Sequence, residues 1–257
     1  MLKDKVVVVS GVGAGLGSEV ARLCLRDGAR VALAARSADR LRATATQLDP
    51  DGVRVLAVPT DLTQPPDCAR LAHAAVGRFG RLDGVVQVAA LETALGDPLA
   101  IPHEIWRQSY EINLMGTLNL LQATVPHLET RGGSVVFIGT HTSDEPKAGM
   151  AAYGVTKGAM RFLMYHVARQ VGAQRIRINT VEVDWMRGPV VEQWMRPAAE
   201  KRGVSLDALL DEVAAPWPLQ AMPEDEDVAE AVIFLLSDRA RMITGQTLRV
   251  NAGSCMG

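Results

Sequence analysis

Tyr153 and Lys157 stand four residues apart in a segment whose apolar spacing predicts a helix. Residues at this spacing lie on one face of a helix, so both side chains can act on the same substrate atom. A free tyrosine has a pKa of about 10, but a nearby ammonium favours the phenolate and makes the residue a useful acid or base. The pair therefore predicts proton transfer, and the alternative is an ordinary amphipathic helix that carries both residues.

A glycine-rich turn supplies a second set of candidate residues. Residues 11–17 read Gly-Val-Gly-Ala-Gly-Leu-Gly, between a predicted strand over 5–9 and a predicted helix over 15–27. Glycines permit a tight turn and the close approach of a pyrophosphate, which the N–H groups and dipole of the next helix stabilise. The turn predicts a dinucleotide site, although similar turns also serve simple strand-to-helix geometry.

The end of the second predicted strand bears on the choice of dinucleotide. It reads Ala-Ala-Arg-Ser over residues 34–37, with no carboxylate for a ribose 2′-hydroxyl and with Arg36 available to a 2′-phosphate. This pattern favours NADP(H), with NAD(H) as the second choice. The alternative is that Arg36 is a solvated residue that opens the next helix together with Arg40 and Arg42.

The elements that must position these residues alternate between apolar bursts and helix-period segments along the whole chain. Strands are predicted at 5–9, 30–35, 53–58, 84–88, 134–138, 177–181 and 247–250, and helices at 15–27, 37–48, 66–79, 103–129, 151–173 and 225–237. Right-handed crossovers between such strands give a doubly wound parallel sheet with helices on both faces. The prediction is a single α/β domain with a three-layer Rossmann fold, from which residues 186–222 form an excursion.

Composition excludes several classes of function. The net charge of −2, without a run of Lys or Arg, argues against nucleic acid or membrane partners. Three widely spaced cysteines, Cys24, Cys68 and Cys255, favour reduced thiols, and no motif predicts a metal centre. Gly-x-Ser-x-Gly is absent, which argues against a serine hydrolase. Without a signal-peptide core or an 18-residue apolar run, we expect a soluble, cytoplasmic protein with a small-molecule substrate.

The spacing Gly11-x-x-x-Gly15-x-Gly17, combined with Tyr153-x-x-x-Lys157, resembles the short-chain dehydrogenase/reductase family. The resemblance extends over essentially the whole chain, to the Ile-Thr-Gly-Gln turn at 243–246, and its other matching residues are Asp61, Leu62, Asn113, Thr140 and Asn179. It implies hydride transfer between a nicotinamide and a carbonyl or secondary alcohol carbon. It also implies a homodimer or homotetramer that uses helices 103–129 and 151–173 as interfaces.

The resemblance assigns a role to each catalytic position. Thr140 stands where the family has a serine, and it keeps the hydroxyl that polarises a substrate carbonyl while its methyl narrows the site. Tyr153 would donate the proton, Lys157 would stabilise the tyrosinate and bind the nicotinamide ribose, and Asn113 would hold a water of a proton relay. Thr142 and Ser143 are reserve hydroxyls, and a turn-stabilising role is the alternative for all three. For Asn113 the alternative is a mid-helix polar residue bonded to backbone.

Cofactor contacts are implied for a larger set of residues. Asp61 and Leu62 would contact the adenine, with a turn acid before Thr63 as the alternative for Asp61. The full set is Gly11, Gly15, Leu16, Gly17, Arg36, Ser37, Asp61, Leu62, Ala89, Tyr153, Lys157 and Met186.

Three departures from the family pattern lie around the expected nicotinamide pocket. Residues 87–90 read Gln-Val-Ala-Ala where the family commonly has Asn-Asn-Ala-Gly, so only Ala89 is retained. The usual Pro-Gly becomes Val183-Asp184, and Gly188 replaces a threonine that commonly supports the carboxamide. A carboxylate from Asp184 beside the pocket predicts a preference for a polar or cationic substrate group.

Candidate substrate-pocket residues are His141, Asp184, Trp185 and Trp194. Trp185, Trp194 and Trp217, together with Met186 and Met195, fall in or beside the excursion, which the family uses as a mobile wall over substrate and nicotinamide. They predict a bulky apolar lid and a substrate with a hydrophobic portion, with simple core packing as the alternative. For His141 the alternative is a solvent-facing loop residue.

Two other functions remain open beside the NADP(H)-dependent reductase or dehydrogenase. One is a dinucleotide-binding regulatory protein whose altered motifs have abolished turnover, although a binding module has no need of the Tyr153 proton donor. The other is a reductase of imines, which the carboxylate of Asp184 makes conceivable.

Overall fold

A run of four valines at residues 6–9 is buried on both sides. Val7 and Val9 belong to one apolar cluster, whereas Val6 and Val8 belong to another. Alternate side chains of a strand point to opposite faces, so this strand must lie in a sheet that is covered on both faces. In the computed structural model, which describes residues 1–92 and 95–256, it is the third strand of a seven-stranded sheet.

The elements follow the chain in alternation. The strands are β1 (Val6–Ser10), β2 (Arg30–Ala35), β3 (Val55–Pro59), β4 (Gly84–Gln87), β5 (Gly133–Thr140), β6 (Ile176–Val183) and β7 (Thr247–Val250). The helices are α1 (Leu16–Arg26), α2 (Ala38–Leu48), α3 (Pro65–Phe79), α4 (His103–Tyr110), α5 (Gly116–Leu128), α6 (Ala151–Val171), α7 (Pro189–Arg202), α8 (Leu206–Ala214) and α9 (Asp225–Leu236). None of the helices within 1–92 and 95–256 has the length and apolarity needed to span a bilayer.

The sheet order is β3-β2-β1-β4-β5-β6-β7, and every paired strand is parallel. One apolar layer joins the sheet to α1, α2 and α9, and the other joins it to α3, α5 and α6. The predicted doubly wound Rossmann fold is therefore confirmed. Because the chain leaves β1 toward one side and β4 toward the other, a crevice forms at the carboxyl ends of these two strands.

The predicted helix over 103–129 runs without a break over 103–128, but it is not an α-helix throughout. Residues Glu111–Met115 form a π-helical turn between α4 and α5. Within it, the side chain of Asn113 accepts a hydrogen bond from the Leu91 N–H at 2.7 Å and donates one to Thr156 Oγ1 at 3.0 Å. These bonds tie the loop after β4 to α6, and π-helical turns within α-helices are frequent at functional sites.

The excursion predicted over 186–222 contains α7 and α8. These helices build a small apolar cluster of their own from Met195, Ala199, Leu209 and Leu210, with Trp185 packed against it. Met195 and Trp217 are buried, at 7% and 9% exposure. For these two residues the core-packing alternative is therefore the one observed.

Two glycines of the first turn are required by close backbone contacts. A Cβ on Gly11, whose φ is +79°, would lie 2.3 Å from the backbone nitrogen of Ala89. A Cβ on Gly17 would lie 2.3 Å from the Gly11 carbonyl oxygen. Gly13 has room around it: no atom of the described residues lies within 4 Å of a Cβ placed on it. A Cβ on Gly15 would meet its nearest atom at 3.5 Å, which is an ordinary contact. The turn thus packs β1 against the end of β4 and leaves an open side toward the crevice.

We expect Gly11→Ala to lower the free energy of unfolding by about 2 kcal/mol or more, because it combines overpacking against Ala89 with a disfavoured positive φ. Urea denaturation measures the effect. Gly13→Ala, in the same turn but with open space, is the matched control and should change the free energy by less than about 0.5 kcal/mol. Equal losses in the two variants would contradict the close contact with Ala89.

Candidate active site

A cavity of about 1400 Å³ lies at the carboxyl ends of the strands. All twelve residues predicted to contact a cofactor line it: Gly11, Gly15, Leu16, Gly17, Arg36, Ser37, Asp61, Leu62, Ala89, Tyr153, Lys157 and Met186. Thr140, Thr142, Asp184 and Trp185 line it as well, whereas Asn113, His141 and Trp194 do not. The strand ends thus bring most of the predicted residues to one cavity.

The residues of the first turn fit an anionic diphosphate. Within the described part of the chain, no side chain caps the N-terminus of α1, where Gly15 is the capping residue. The first N–H groups of a helix have no partner within the helix, so they and the helix dipole are available to an anion. Gly13, beside them, leaves the room that a side chain would fill.

Two arginines follow β2 at the same cavity. Arg36 and Arg40 are exposed and line it, and neither makes an ion pair within the described part of the chain. Asp61 also lines the cavity. Its Oδ1 accepts two hydrogen bonds from Thr63, one from the N–H at 3.0 Å and one from the hydroxyl at 2.8 Å. Asp61 therefore makes the turn contact of the alternative interpretation while it faces the cavity.

Tyr153 and Lys157 lie one turn apart near the start of α6, and both side chains are buried, at 8% and 2% exposure. The Lys157 ammonium donates a hydrogen bond of 2.7 Å to the Ile138 carbonyl on β5, and its nitrogen lies 5.8 Å from the centre of the Tyr153 ring. The pair thus shares one face, as the spacing predicts, and β5 fixes its position.

Burial dominates the protonation of both residues. It raises the pKa of Tyr153 well above its ordinary value; the negative charge of Glu92 adds to the rise, and contact with the Thr140 hydroxyl opposes it. Burial also lowers the pKa of Lys157 to about 8, against an opposing effect of Glu92. The sequence predicted that the ammonium would favour the phenolate, but burial dominates in this structure, so the Tyr153 phenol is neutral at pH 7.

The hydroxyl of Thr140 is held at the end of β5 by its own loop. Thr140 Oγ1 donates a hydrogen bond to Thr142 Oγ1 and accepts one from the Thr142 N–H, both at 3.3 Å. Ser143 Oγ donates to the Thr140 carbonyl at 2.8 Å. Thr142 and Ser143 thus serve the loop, and these weak bonds leave the Thr140 hydroxyl able to turn toward a ligand.

Four alternating charges anchor that loop to the sheet. Glu182 on β6 is almost fully buried and accepts from Arg161 at 3.1 Å and from Arg249 at 2.9 Å. The same two arginines bind Asp144, which follows Thr140 by four residues, and hold the pKa of its carboxyl at about 2. Asp144 is thereby fixed to α6 and β7 together.

Asn113 and His141 lie behind the cavity wall. Asn113 makes the bonds to Leu91 and Thr156 described above, so its side chain holds backbone, as in the alternative interpretation. His141 is only 2% exposed, and its Nε2 lies 3.0 Å from Glu145. Neither interpretation of His141, as a pocket residue or as a solvent-facing residue, matches this buried position in the short helical turn after Thr140.

His141, Glu145 and Cys255 are the one group in residues 1–92 and 95–256 whose ligand atoms approach closely enough to hold a metal ion. A histidine that binds a metal normally donates its other ring N–H to a partner. Nδ1 of His141 is buried and has no hydrogen-bond partner. The geometry is therefore that of a histidine–carboxylate pair, and the absence of a metal centre stays a prediction.

Asp184 is not a free carboxylate. It forms an ion pair with Lys147 from the loop before α6, and the Lys147 nitrogen also lies 5.6 Å from the centre of the Trp185 ring. Trp185 stacks on Trp194 with 5.2 Å between ring centres, and Trp194 is 59% exposed. The pairing removes the basis for the predicted preference for cationic groups, and Trp194 supports Trp185 from outside the cavity.

The charged cavity residues that sequence reasoning missed include Glu92, Lys147 and Asp225. Each lies in a loop or at a helix start without a recognisable motif, and each reaches the cavity only through the arrangement of neighbouring segments. Of the three, only Asp225 has a signal in the sequence. Gly188 replaces a threonine, and the missing side chain leaves space that another residue must fill. A Cβ on Gly188 would lie 2.6 Å from Asp225 Oδ2.

The lowered pKa of Lys157 predicts a pH dependence of stability. The folded chain releases this proton near pH 8, whereas an unfolded lysine holds it to about pH 10.4, so stability rises with pH between these values. Lys157→Met should remove the rise, measured as the free energy of unfolding in urea from pH 7 to 10. The raised pKa of Tyr153 affects the free energy of unfolding only above about pH 10, where an unfolded tyrosine loses its proton.

Lys201→Met, at an exposed lysine of α7, is the control and should retain the wild-type rise. If the stability of Lys157→Met rises with pH as steeply as that of the wild type, the rise does not come from loss of the proton of buried Lys157, and the prediction is wrong.

Comparison with known proteins places this site in a family. Residues 11–254 match the family model described as enoyl-(acyl carrier protein) reductase. The chain is 31% identical over 259 residues to an uncharacterised oxidoreductase of Methylorubrum extorquens, covering 98% of each chain.

Two solved structures have the same fold over nearly their whole length. A short-chain type dehydrogenase/reductase from Mycobacterium ulcerans is 30% identical with a TM-score of 0.89, covering 98% of this chain and 90% of that one. L-sorbose reductase from Gluconobacter frateurii, complexed with NADPH and L-sorbose, is 25% identical with a TM-score of 0.93, covering 99% and 98%. The cavity, the Tyr153–Lys157 pair and these matches agree, and the chain belongs to the short-chain dehydrogenase/reductase family of oxidoreductases.

Proposed function

We propose that this protein is an NADP(H)-dependent oxidoreductase that transfers hydride between the nicotinamide and a carbonyl or secondary alcohol carbon. The observation that carries the proposal is the meeting of Thr140, Tyr153 and Lys157 in one cavity with Arg36 and Arg40. The arginines follow β2 and the acid–base residues face β5, so the two groups flank the crevice at β1 and β4. A dinucleotide laid across the crevice would reach both groups. That a solved relative was complexed with NADPH supports the same assignment.

The chain offers donors for each charged part of such a cofactor. Arg36 and Arg40 would hold the 2′-phosphate by charge-assisted hydrogen bonds. The free N–H groups at the start of α1 would hold the diphosphate, and Lys157 would bind the nicotinamide ribose. When bound, the nicotinamide would supply or accept the hydride.

Thr140, Tyr153 and Lys157 would manage the proton. In the reducing direction, the Thr140 hydroxyl hydrogen-bonds the carbonyl oxygen and stabilises the negative charge that develops there. The Tyr153 phenol, which burial keeps protonated at pH 7, gives its proton to that oxygen. The Lys157 ammonium lies beside the ring and stabilises the tyrosinate that results.

The substrate side of the cavity is mainly apolar. Met150, Trp185, Val190 and Val191 line it, while the charges of Lys147 and Asp184 neutralise each other. This lining supports a substrate with a hydrophobic portion next to its carbonyl. Because Asp184 is paired, no observation favours imines over ketones.

A homo-oligomer accompanies this proposal. Val155, Phe162 and Tyr165 on α6 are 59%, 62% and 42% exposed, and their spacing puts them on one helical face. An exposed apolar face next to the active-site residues supports an interface between two copies of the chain through α6.

We expect NADPH oxidation with at least one member of a panel of hydrophobic ketones, and we expect Tyr153→Phe to lower kcat by about 100-fold or more. NADPH binding should change less than about 2-fold, because the variant removes only the donated proton. Tyr165→Phe, on the exposed face of the same helix, is the matched control and should keep wild-type turnover. Tight NADPH binding without turnover of any ketone would favour the regulatory alternative, and undiminished turnover by Tyr153→Phe would contradict the assigned proton donor.

Arg36→Ala should raise the Kd for NADPH by about 10- to 100-fold and leave the Kd for NADH within about 2-fold, because only NADPH carries the 2′-phosphate. Isothermal titration calorimetry measures both constants. Arg42→Ala is the control, since Arg42 is paired with Asp39 and does not line the cavity. Tighter binding of NADH than of NADPH by the wild type would overturn the preference.

A further inference from the structure

Asp225 is the first residue of α9 and lies where three segments meet. Its N–H donates to the Arg187 carbonyl at 3.2 Å, and a short parallel bridge pairs Arg187 with Glu224. These contacts bring the start of α9 against the segment that follows β6, while α9 packs along α1. The Asp225 carboxyl is therefore brought to the edge of the cofactor cavity, which it lines.

Two glycines define the position of this carboxyl. A Cβ on Gly188 would lie 2.6 Å from Asp225 Oδ2 and 2.9 Å from Oδ1. A Cβ on Gly15 would lie 3.5 Å from Asp225 Oδ2. The carboxyl thus fills the space of a side chain at position 188 and abuts the residue that precedes α1. This is the helix end at which the proposed function puts the cofactor diphosphate.

The surroundings of Asp225 oppose its negative charge. Burial and then the charges of Glu19, Glu192 and Glu224 raise its pKa to about 6. The cations that face the same surface are already paired. Arg22 binds Glu19 and Glu226, and Arg187 binds Glu192 and Asp207.

A diphosphate at the start of α1 adds further negative charge beside Asp225. An ionised carboxylate would repel it, whereas a protonated carboxyl can donate a hydrogen bond to a phosphate oxygen. We propose that Asp225 is a cofactor-binding residue that takes up a proton from solvent when the dinucleotide binds, and that its neutral carboxyl then donates a hydrogen bond to the diphosphate. The assignment rests on the proposed function, because it needs a dinucleotide in the cavity.

Proton uptake sets the direction of the pH effect. Below about pH 6 free Asp225 is already protonated, so binding is insensitive to this residue. Above that pH the cofactor must bind with a proton, and affinity falls by up to about tenfold per pH unit until the pKa of Asp225 in the complex is reached. Asp225→Asn keeps the shape and the donor without the charge, so it should bind with no such loss.

The test is calorimetric titration of the full chain with NADP⁺ from pH 5.5 to 8, in pairs of buffers that differ in ionisation enthalpy. The ratio of wild-type to Asp225→Asn Kd should be close to 1 at pH 5.5 and reach about 30 at pH 7.5. The wild type should also take up close to one proton more per NADP⁺ than the variant at pH 7.5. Comparing two proteins with one ligand cancels the ionisation of the 2′-phosphate itself, which also occurs near pH 6.

Glu226→Gln is the matched control, since Glu226 is exposed, adjacent and paired with Arg22, and it should keep the wild-type pH dependence. Asp225→Ser provides a second neutral side chain in case the amide disturbs the start of α9, and it should behave as Asp225→Asn does. If the wild type binds NADP⁺ and both neutral variants retain its pH dependence and proton uptake, the assignment of Asp225 is overturned alone. If the wild type does not bind NADP⁺ or NAD⁺, the proposed function falls and the assignment falls with it.

Discussion

One buried hydrogen bond, from the Lys157 ammonium to the Ile138 carbonyl, holds the start of α6 against the end of β5. A charge buried to this extent is costly unless it is hydrogen-bonded, so the bond determines where the lysine can lie. Tyr153 precedes Lys157 by one turn of the same helix, and Thr140 lies two residues after Ile138 on the strand. The relative positions of the phenol and the hydroxyl therefore depend on this contact. The ion pairs of Asp144 and Glu182 reinforce it from the other side of the loop.

The sequence predicted the fold and most of the cavity because the relevant signals are local. Nearly continuous apolar strands reveal a sheet covered on both faces, and parallel strands bring their carboxyl ends to one edge. The glycine turn and Arg36 each follow a strand, and Tyr153 and Lys157 share one helix, so the signal for each lies within a single segment of sequence. For such residues, periodicity and spacing are sufficient to predict a shared site.

Other features depend on partners that are distant in sequence. Asp184 pairs with Lys147 across 37 positions, and Asp225 meets Gly188 only because α9 returns beside the end of β6. The π-helical turn at Asn113 depends on Leu91 and Thr156, which belong to a loop and another helix. No pattern within one segment reports these contacts. The roles of the tryptophans were ambiguous for the same reason: Trp185 reaches the cavity, whereas Trp217 is buried outside it.

The separate apolar cluster of α7 and α8 has a consequence for how ligands enter and leave. Its buried residues belong to neither of the two layers that cover the sheet. Local opening of these two helices therefore disrupts only that small cluster and its few ion pairs, and the rest of the domain keeps its packing. A segment of this kind opens at a free energy well below that of global unfolding. Under the proposed function, ligand exchange and the durability of the fold would thus depend on different parts of the same chain.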